Sequence, residues 1–308
     1  MAEHGINPTK LLRLGFFLPL LAVSCATGLG AQQGEHRFDE VRSFGAIADV
    51  VPTWNPLPAS GGREEAGIAY LAGRTASPRL EFHAVRIDLA DPSLRVLVSG
   101  GEDSLSMKVS TFVRENGLLV GINALPFEPS SGREGEERNN IGIIISERSL
   151  ISLPHRDFDA LVFFEDGRAR IMAQREIASV RDVVHAAGGF RRILQDGEPV
   201  ARVRGLEPKH PRSATGISPD GRFLYLLVID GRRSASVGAT EEETALLMKA
   251  LGSGEALNLD GGGSSSLALR LADGRVRVMN TPVHSGIPGR ERPVAGSLGI
   301  GRSGYAVR

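Results

Sequence analysis

The chain of 308 residues has a single cysteine, Cys25. One cysteine cannot close an internal disulfide or build an all-thiolate zinc site. Charge of one sign is also missing: 36 Lys and Arg balance 36 Asp and Glu. That excludes a basic surface that coats nucleic acid and an acidic solvating tail. No apolar run reaches membrane-spanning length, and no internal repeat of fixed period is present. Several motifs are absent as well. There is no H-E-x-x-H, no P-loop and no G-x-S-x-G nucleophile elbow. A G-x-G-x-x-G does occur at 299–304, but only four residues follow it. No helix could then receive a pyrophosphate, so the match is a decoy. The seven histidines are scattered. His83 lies in a strand pattern, and His210 precedes Pro211 beside a segment of interest.

What is present begins with an address. Lys10 and Arg13 precede the apolar run Leu14–Val23, which has the length of a signal-peptide core. Ala22-Val23-Ser24-Cys25 follows and resembles a bacterial lipoprotein cleavage box, with Ala22 where Leu is usual. The expectation is a signal peptide over 1–24 and lipidation of Cys25, which would hold the protein at a periplasmic membrane or the cell surface. Ordinary cleavage after Ala31 is the alternative. Residues 25–64, with Pro52, Pro56, Pro58 and Gly61-Gly62, read as an N-terminal tether. A single main domain is expected over 65–308.

Glycine is abundant, at 38 residues, and apolar runs are short. The pattern predicts tight turns between strands. Glu81–Leu89 alternates as a strand does, and Leu94–Val98 is expected to pair with it. Ser106–Asn116 reads as a short helix stopped by Gly117. Leu118–Asn123 is a strand with a polar end, Glu128–Asn140 a mobile loop, and Ile141–Ile145 a buried strand. The Asp-Gly pairs at 166–167, 196–197, 220–221 and 273–274 sit between apolar runs and predict hairpins. Thr240–Leu251 has an N-cap threonine, a capping box completed by Glu243 and a stop at Gly252. The capping box accounts for Glu243, which is therefore left out of the site. The fold class expected is α+β: β-rich mixed sheets with hairpins and two to three helices.

Three segments carry candidate chemistry. Asn258-Leu259-Asp260-Gly261-Gly262-Gly263-Ser264-Ser265-Ser266 follows a short strand. Three consecutive glycines cost about 1 kcal/mol each in ordering entropy. They would let backbone N–H groups converge on an anion, with serine hydroxyls as added donors. Asp260 would put a carboxylate into the same space. A flexible surface turn is the plainer reading. The second segment is His210–Ile217 with the strand that ends at Asp230-Gly231-Arg232-Arg233. Arg212 offers a planar fork for phosphate or carboxylate. Asp230-Gly231 has no returning strand after it, unlike the four hairpin pairs, and a solvated charge cluster is its plainer reading. The third is Gly121–Glu128, where Asn123 could simply cap a turn.

The segments H-P-R-S-A-T-G-I (210–217), L-Y-L-L-V-I-D-G-R (224–232), G-A-T-E-E-E-T-A-L-L-M-K-A-L-G (238–252) and A-L-N-L-D-G-G-G-S-S-S (256–266) together resemble the phosphodiester glycosidase family. The resemblance runs over roughly 80–302 and includes Gly188-Gly189 and Arg292-Pro293. It implies hydrolysis of the bond between a sugar and the phosphate of a phosphodiester. It also implies substrate-binding roles for Asn123, Arg212, Thr215, Gly216, Asn258, Gly261, Gly262, Gly263 and Ser264. Asp260 and Asp230 are the carboxylates expected to be catalytic. Ala124, Leu125 and Pro126 depart from the family's Gly, Gly and aromatic, and Phe190-Arg191-Arg192 from its proline and apolar residues. Both departures are expected to border the pocket.

The chemistry suits these residues. A phosphate is already a good leaving group, so cationic and N–H donors matter more than a general acid. A carboxylate must face the oxocarbenium-like centre as base or nucleophile. Arg212 and the Gly261–Gly263 backbone are the expected phosphate donors. The partner expected is a carbohydrate or sugar-phosphate, not nucleic acid. No cofactor or metal is expected; a Ca²⁺ on Asp and backbone oxygens needs no short motif, and nothing in the sequence points to one. A non-catalytic glycan-binding lipoprotein with the same pocket is the competing reading.

Overall fold

The computed structural model describes residues 38, 40–99, 105–130, 132–177, 181–200 and 207–303. The segment expected to be a signal peptide, with Cys25, lies outside the described residues. The fold is β-rich α+β. A nine-stranded mixed sheet runs in the order 41–46, 63–77, 80–88, 223–229, 212–217, 255–258, 191–195, 198–199, with 55–59 paired to 63–77 off this path. Two five-stranded sheets accompany it. One has the order 149–152, 144–146, 183–188, 159–164, 169–173; the other 276–278, 267–270, 118–123, 297–302, 94–98. Among the described residues the α-helices are Val109–Glu115, Gln174–Ile177 and Glu241–Leu251.

The strand Phe223–Ile229 shows how the sequence builds this. Its apolar run is continuous, not alternating, because the large sheet is covered on both faces. Leu224, Leu226 and Val228 pack into a core shared with Val120, Ile122, Leu298 and Ile300 of a smaller sheet. Leu227 and Ile229 face the other way, against Leu247, Met248 and Leu251 of the helix Glu241–Leu251. That helix is capped as its sequence requires. Thr240 Oγ1 accepts from Glu243 N, the Glu243 side chain accepts from Thr240 N, and Gly252 is left-handed at the C-terminus. On the outer side, Val109, Phe112 and Val113 of the first helix pack on Leu118 and Ala268. All four Asp-Gly pairs turn hairpins: 166–167 and 273–274 within the smaller sheets, 196–197 and 220–221 within the large one.

Three expectations are corrected. Residues 41–64 are no free tether: Val41–Ala46 and Asn55–Ala59 both pair with Arg63–Ser77. Leu57 is fully buried, and Trp54 packs on Tyr225 at 5.9 Å between ring centroids. A few spaced apolar anchors hold this segment, so no periodicity shows. Leu94–Val98 pairs with Ser297–Arg302 and not with Leu80–Asp88, whose neighbours are Arg63–Ser77 and Phe223–Ile229. A turn with Asp91 N bonded to Asp88 O carries the chain out of the large sheet. The 128–140 loop is anchored: Ser106 N donates to Glu136 O at 2.8 Å, Gly135 N to Ser106 O at 2.8 Å, and Lys108 N to Glu134 Oε1 at 2.8 Å.

Candidate active site

The glycine-serine segment is the crossover between two sheets. Its upstream strand, Glu255–Asn258, lies in the large sheet between Arg212–Ile217 and Arg191–Gln195. Its downstream strand, Leu267–Arg270, pairs with Leu118–Asn123 in a smaller sheet. Asp260 therefore sits where the polar ends of strands from two sheets converge.

Asn123 fastens this junction. It is fully buried. Its Nδ2 donates to Asp260 O at 2.6 Å, and its Oδ1 accepts from Ser213 Oγ at 2.7 Å and Ser266 N at 3.1 Å. Asp260 N completes the junction by donating to Ala124 O at 2.8 Å. Asn280 does the same from the opposite side. Its Nδ2 donates to Ser265 O at 3.0 Å and to Asp230 Oδ1 at 3.1 Å, while its Oδ1 accepts from Leu267 N at 3.0 Å.

The two aspartates have different surroundings. Asp230 is 2% exposed. Its carboxylate accepts from Thr281 N at 2.9 and 3.1 Å, from Asn280, and from Arg233 Nη1 at 2.8 Å. Burial raises its pKa to about 6 against these donors, and Glu81 adds to the rise. Asp260 keeps partial exposure. Burial also raises its pKa to about 6, opposed by the Ser264 hydroxyl, by Arg292 and by the Gly261 N–H. A carboxyl so placed is ionised at neutral pH yet close to exchanging a proton.

Two arginines flank the loop. A Cβ on Gly263 would come within 2.6 Å of Arg292 Nη2, and one on Gly262, at φ +63°, within 3.0 Å of Arg232 Nη2. Glycine is what allows both guanidinium groups to lie against bare backbone. Arg292 donates from Nε to His284 Nδ1 at 3.1 Å and from Nη1 to Ser264 Oγ at 3.2 Å. Arg232 has φ +59° and donates to Val283 O at 3.4 Å. Such a backbone state in a non-glycine residue costs on the order of 1–3 kcal/mol and tends to mark functional sites. Desolvation, with the Arg212 and Arg232 charges, lowers the pKa of His210; desolvation, with Arg292 and Arg290, lowers that of His284. Both shifts favour the neutral imidazole beside the cationic cluster.

The expected residues divide accordingly. Asn123, Asp260, Gly261, Gly262, Gly263 and Ser264 come together around the crossover. Arg212 is adjacent through its backbone, since Gly262 N donates to Pro211 O at 2.8 Å. Its guanidinium is engaged elsewhere: Nε donates to Ala239 O at 2.9 Å, and Glu241 Oε1 lies 3.7 Å from Nη1. Asn258 is buried and donates to Glu241 Oε1 at 3.3 Å, while its Oδ1 has no hydrogen-bond partner among the described residues. Thr215 donates to Tyr225 O within the sheet, and a Cβ on Gly216 would meet Glu255 O at 2.5 Å. Those two positions serve close packing. The Gly261 and Gly262 N–H groups bond Asp260 and Pro211 and do not converge on one external point.

Ala124 and Leu125 do not line a pocket; they are 0% and 1% exposed and belong to the core. Phe190 is half-buried, with its ring edge-on to Phe158 at 5.2 Å, and its N–H bonds Asn258 O. Sequence reasoning missed Arg232, Arg292, His284 and Asn280 as site groups. Arg232 stood in a motif already singled out, and Arg292-Pro293 in the resemblance. His284 and Asn280 had no local signal. Among the described residues no group of three or more His, Cys, Asp or Glu could hold a metal ion, and no helix is long and apolar enough to cross a membrane.

The chain belongs to the phosphodiester glycosidase family, whose model matches residues 116–301. The zebrafish N-acetylglucosamine-1-phosphodiester alpha-N-acetylglucosaminidase catalytic domain, auto-inhibited by its pro-peptide, is similar in fold: TM-score 0.58, 20% identity, 82% of this chain and 89% of that one covered. A structure from Burkholderia pseudomallei K96243 has a TM-score of 0.53 at 14% identity, over 72% of this chain and 74% of that chain. The chain is also 32% identical over 121 residues to the SPbeta prophage-derived uncharacterized protein YomE of Bacillus subtilis (strain 168). That match covers 36% of this chain and 18% of the YomE length.

Proposed function

We propose that this protein is an exported hydrolase that cleaves the bond between the anomeric carbon and the phosphate of a sugar-1-phosphodiester, on an envelope or extracellular glycan. The observation that carries the reading is the Asp260 carboxyl, raised to about 6 and set against Arg292 and Ser264 on the glycine crossover. Arg232 and Arg292 hold the phosphate and take up charge as the bond breaks. Asp260 faces the anomeric carbon as nucleophile or as the base that activates water. Asp230 is a positioning residue: through Asn280 it fixes Ser265, and so the crossover. Arg212 supports the same crossover from beneath. The exported start and Cys25 support a lipid-anchored location. The test is release of free sugar from a panel of α- and β-linked sugar-1-phosphodiesters by the purified mature chain. Turnover lost in Asp260→Ala supports the proposal; turnover retained in that variant refutes the assignment of Asp260. Binding of a panel member without turnover would favour the glycan-binding reading, which the departures at Phe190-Arg191-Arg192 motivate.

A further inference from the structure

The segment 289–293 is a wall with two faces. Arg292 reaches the crossover, where it bonds Ser264 and His284. Its neighbours Arg290, Glu291 and Pro293 line a separate cleft of about 620 Å³, which His284 also lines. His284 thus both accepts from Arg292 and lines the cleft, and so links the two.

The cleft is cationic. Lys108, Arg114, Arg133 and Arg290 line it, against Glu134 and Glu291. Lys108 Nζ lies 3.3 Å from Glu134, so that pair is internally balanced. Glu291 is held by Ser110, whose N and Oγ donate to it at 3.1 and 2.5 Å, and burial raises its pKa. Arg133 and Arg290 are exposed, and among the described residues neither forms an ion pair within 4.0 Å. A concave surface with surplus cations focuses field and concentrates anions. The loop that supplies Arg133 is fixed in place, with Ser106 Oγ donating to Arg133 O at 3.0 Å.

We infer that this cleft receives the far side of the substrate, and that the group beyond the scissile phosphate itself carries phosphate. The substrate class is then an oligomeric phosphodiester, not the diester of a neutral alcohol. The inference rests on the activity proposed above. A chain leaving the phosphate on Arg292 passes His284 and meets Arg290 and Arg133, whose guanidinium groups suit phosphate oxygens.

The experiment compares two sugar-1-phosphodiesters, one with a methyl aglycone and one with a glycerol phosphate aglycone. The full mature chain is set beside Arg133→Gln/Arg290→Gln. The expected result is kcat/KM at least about tenfold higher for the phosphate-bearing aglycone at low salt, with the gap closing near about 0.5 M salt as screening shortens the field. The double variant should lose this advantage and leave the methyl diester unchanged. Equal kcat/KM for the two diesters in the wild-type chain would overturn the inference. If neither is hydrolysed, the activity reading fails and binding decides the cleft by calorimetry with oligo(glycerol phosphate). Binding lost in the double variant, with inorganic phosphate binding far more weakly, upholds it. No binding, unchanged binding in the variant, or equal binding of inorganic phosphate overturns it.

Discussion

Asn123 Nδ2 donates to the backbone carbonyl of Asp260 across 137 residues of chain, at 2.6 Å. The same amide accepts from Ser213 and Ser266, so one buried side chain joins three segments. Truncation would leave several buried groups unpaired, each at about 1–3 kcal/mol. Asn123→Ala should lower stability by about 2–4 kcal/mol in urea unfolding and cut kcat by more than tenfold. Asn123→Asp should also fail, because a carboxylate cannot donate to the Asp260 carbonyl.

Asp260→Asn keeps the shape of the side chain and removes the charge. Hydrolysis should fall by at least about a thousandfold if the carboxylate is nucleophile or base. Thermal unfolding should show no loss of stability, since the variant no longer desolvates a charge there.

The pH dependence follows from the raised carboxyls. A base with pKa about 6 should give kcat/KM that rises with pH and levels above about 6, with the limb absent in Asp260→Asn. Stability should run the other way. The ordinary carboxyl pKa is about 3.9. Between about 4 and about 6 the folded chain keeps a proton on Asp230 that the unfolded chain has released. Stability therefore falls as pH rises through that window, on the order of 3 kcal/mol for this group. Denaturant midpoints from pH 4 to 7 would show it, and the Asp230→Asn slope should be flatter.

The arginines separate by role. Arg232→Lys and Arg292→Lys should each lower kcat/KM by roughly a hundredfold with little change in stability, because a lysine cannot replace a planar fork on phosphate. Arg212→Gln should act on folding: its partners are Ala239 O and Glu241, and Glu241 is 5% exposed. Unfolding and kinetics measured on the same samples would distinguish the two effects.

Gly263→Ala offers a finer test. The added Cβ would meet the far end of the Arg292 side chain at 2.6 Å, and a flexible side chain can move. Folding should survive while kcat/KM drops about tenfold or more. Gly216→Ala meets backbone at Glu255 O, which cannot yield as easily, and should cost stability instead.

By itself the sequence determined the local structure: the capped helix 241–251, the four Asp-Gly hairpins, the strand that ends at Asp230, and the glycine-serine segment that follows a short strand and carries Asp260. These rest on propensity, periodicity and turn chemistry, which act over a few residues. The family was legible for the same reason, in contiguous blocks between 210 and 266. Only the tertiary structure decided which strand Leu94–Val98 joins, that 41–59 belongs to the large sheet, and which charges meet at the site. Asp230 and Asp260 read alike as strand-end aspartates, yet one is enclosed by Asn280, Thr281 and Arg233 while the other faces Arg292. Arg212 read as the phosphate fork until Glu241 and Ala239 claimed it, and only the packed fold brought Arg232 and Arg292 to the glycine loop. Such distinctions depend on partners dozens to more than a hundred residues away, and the field and burial that set a pKa exist only once those partners are packed together.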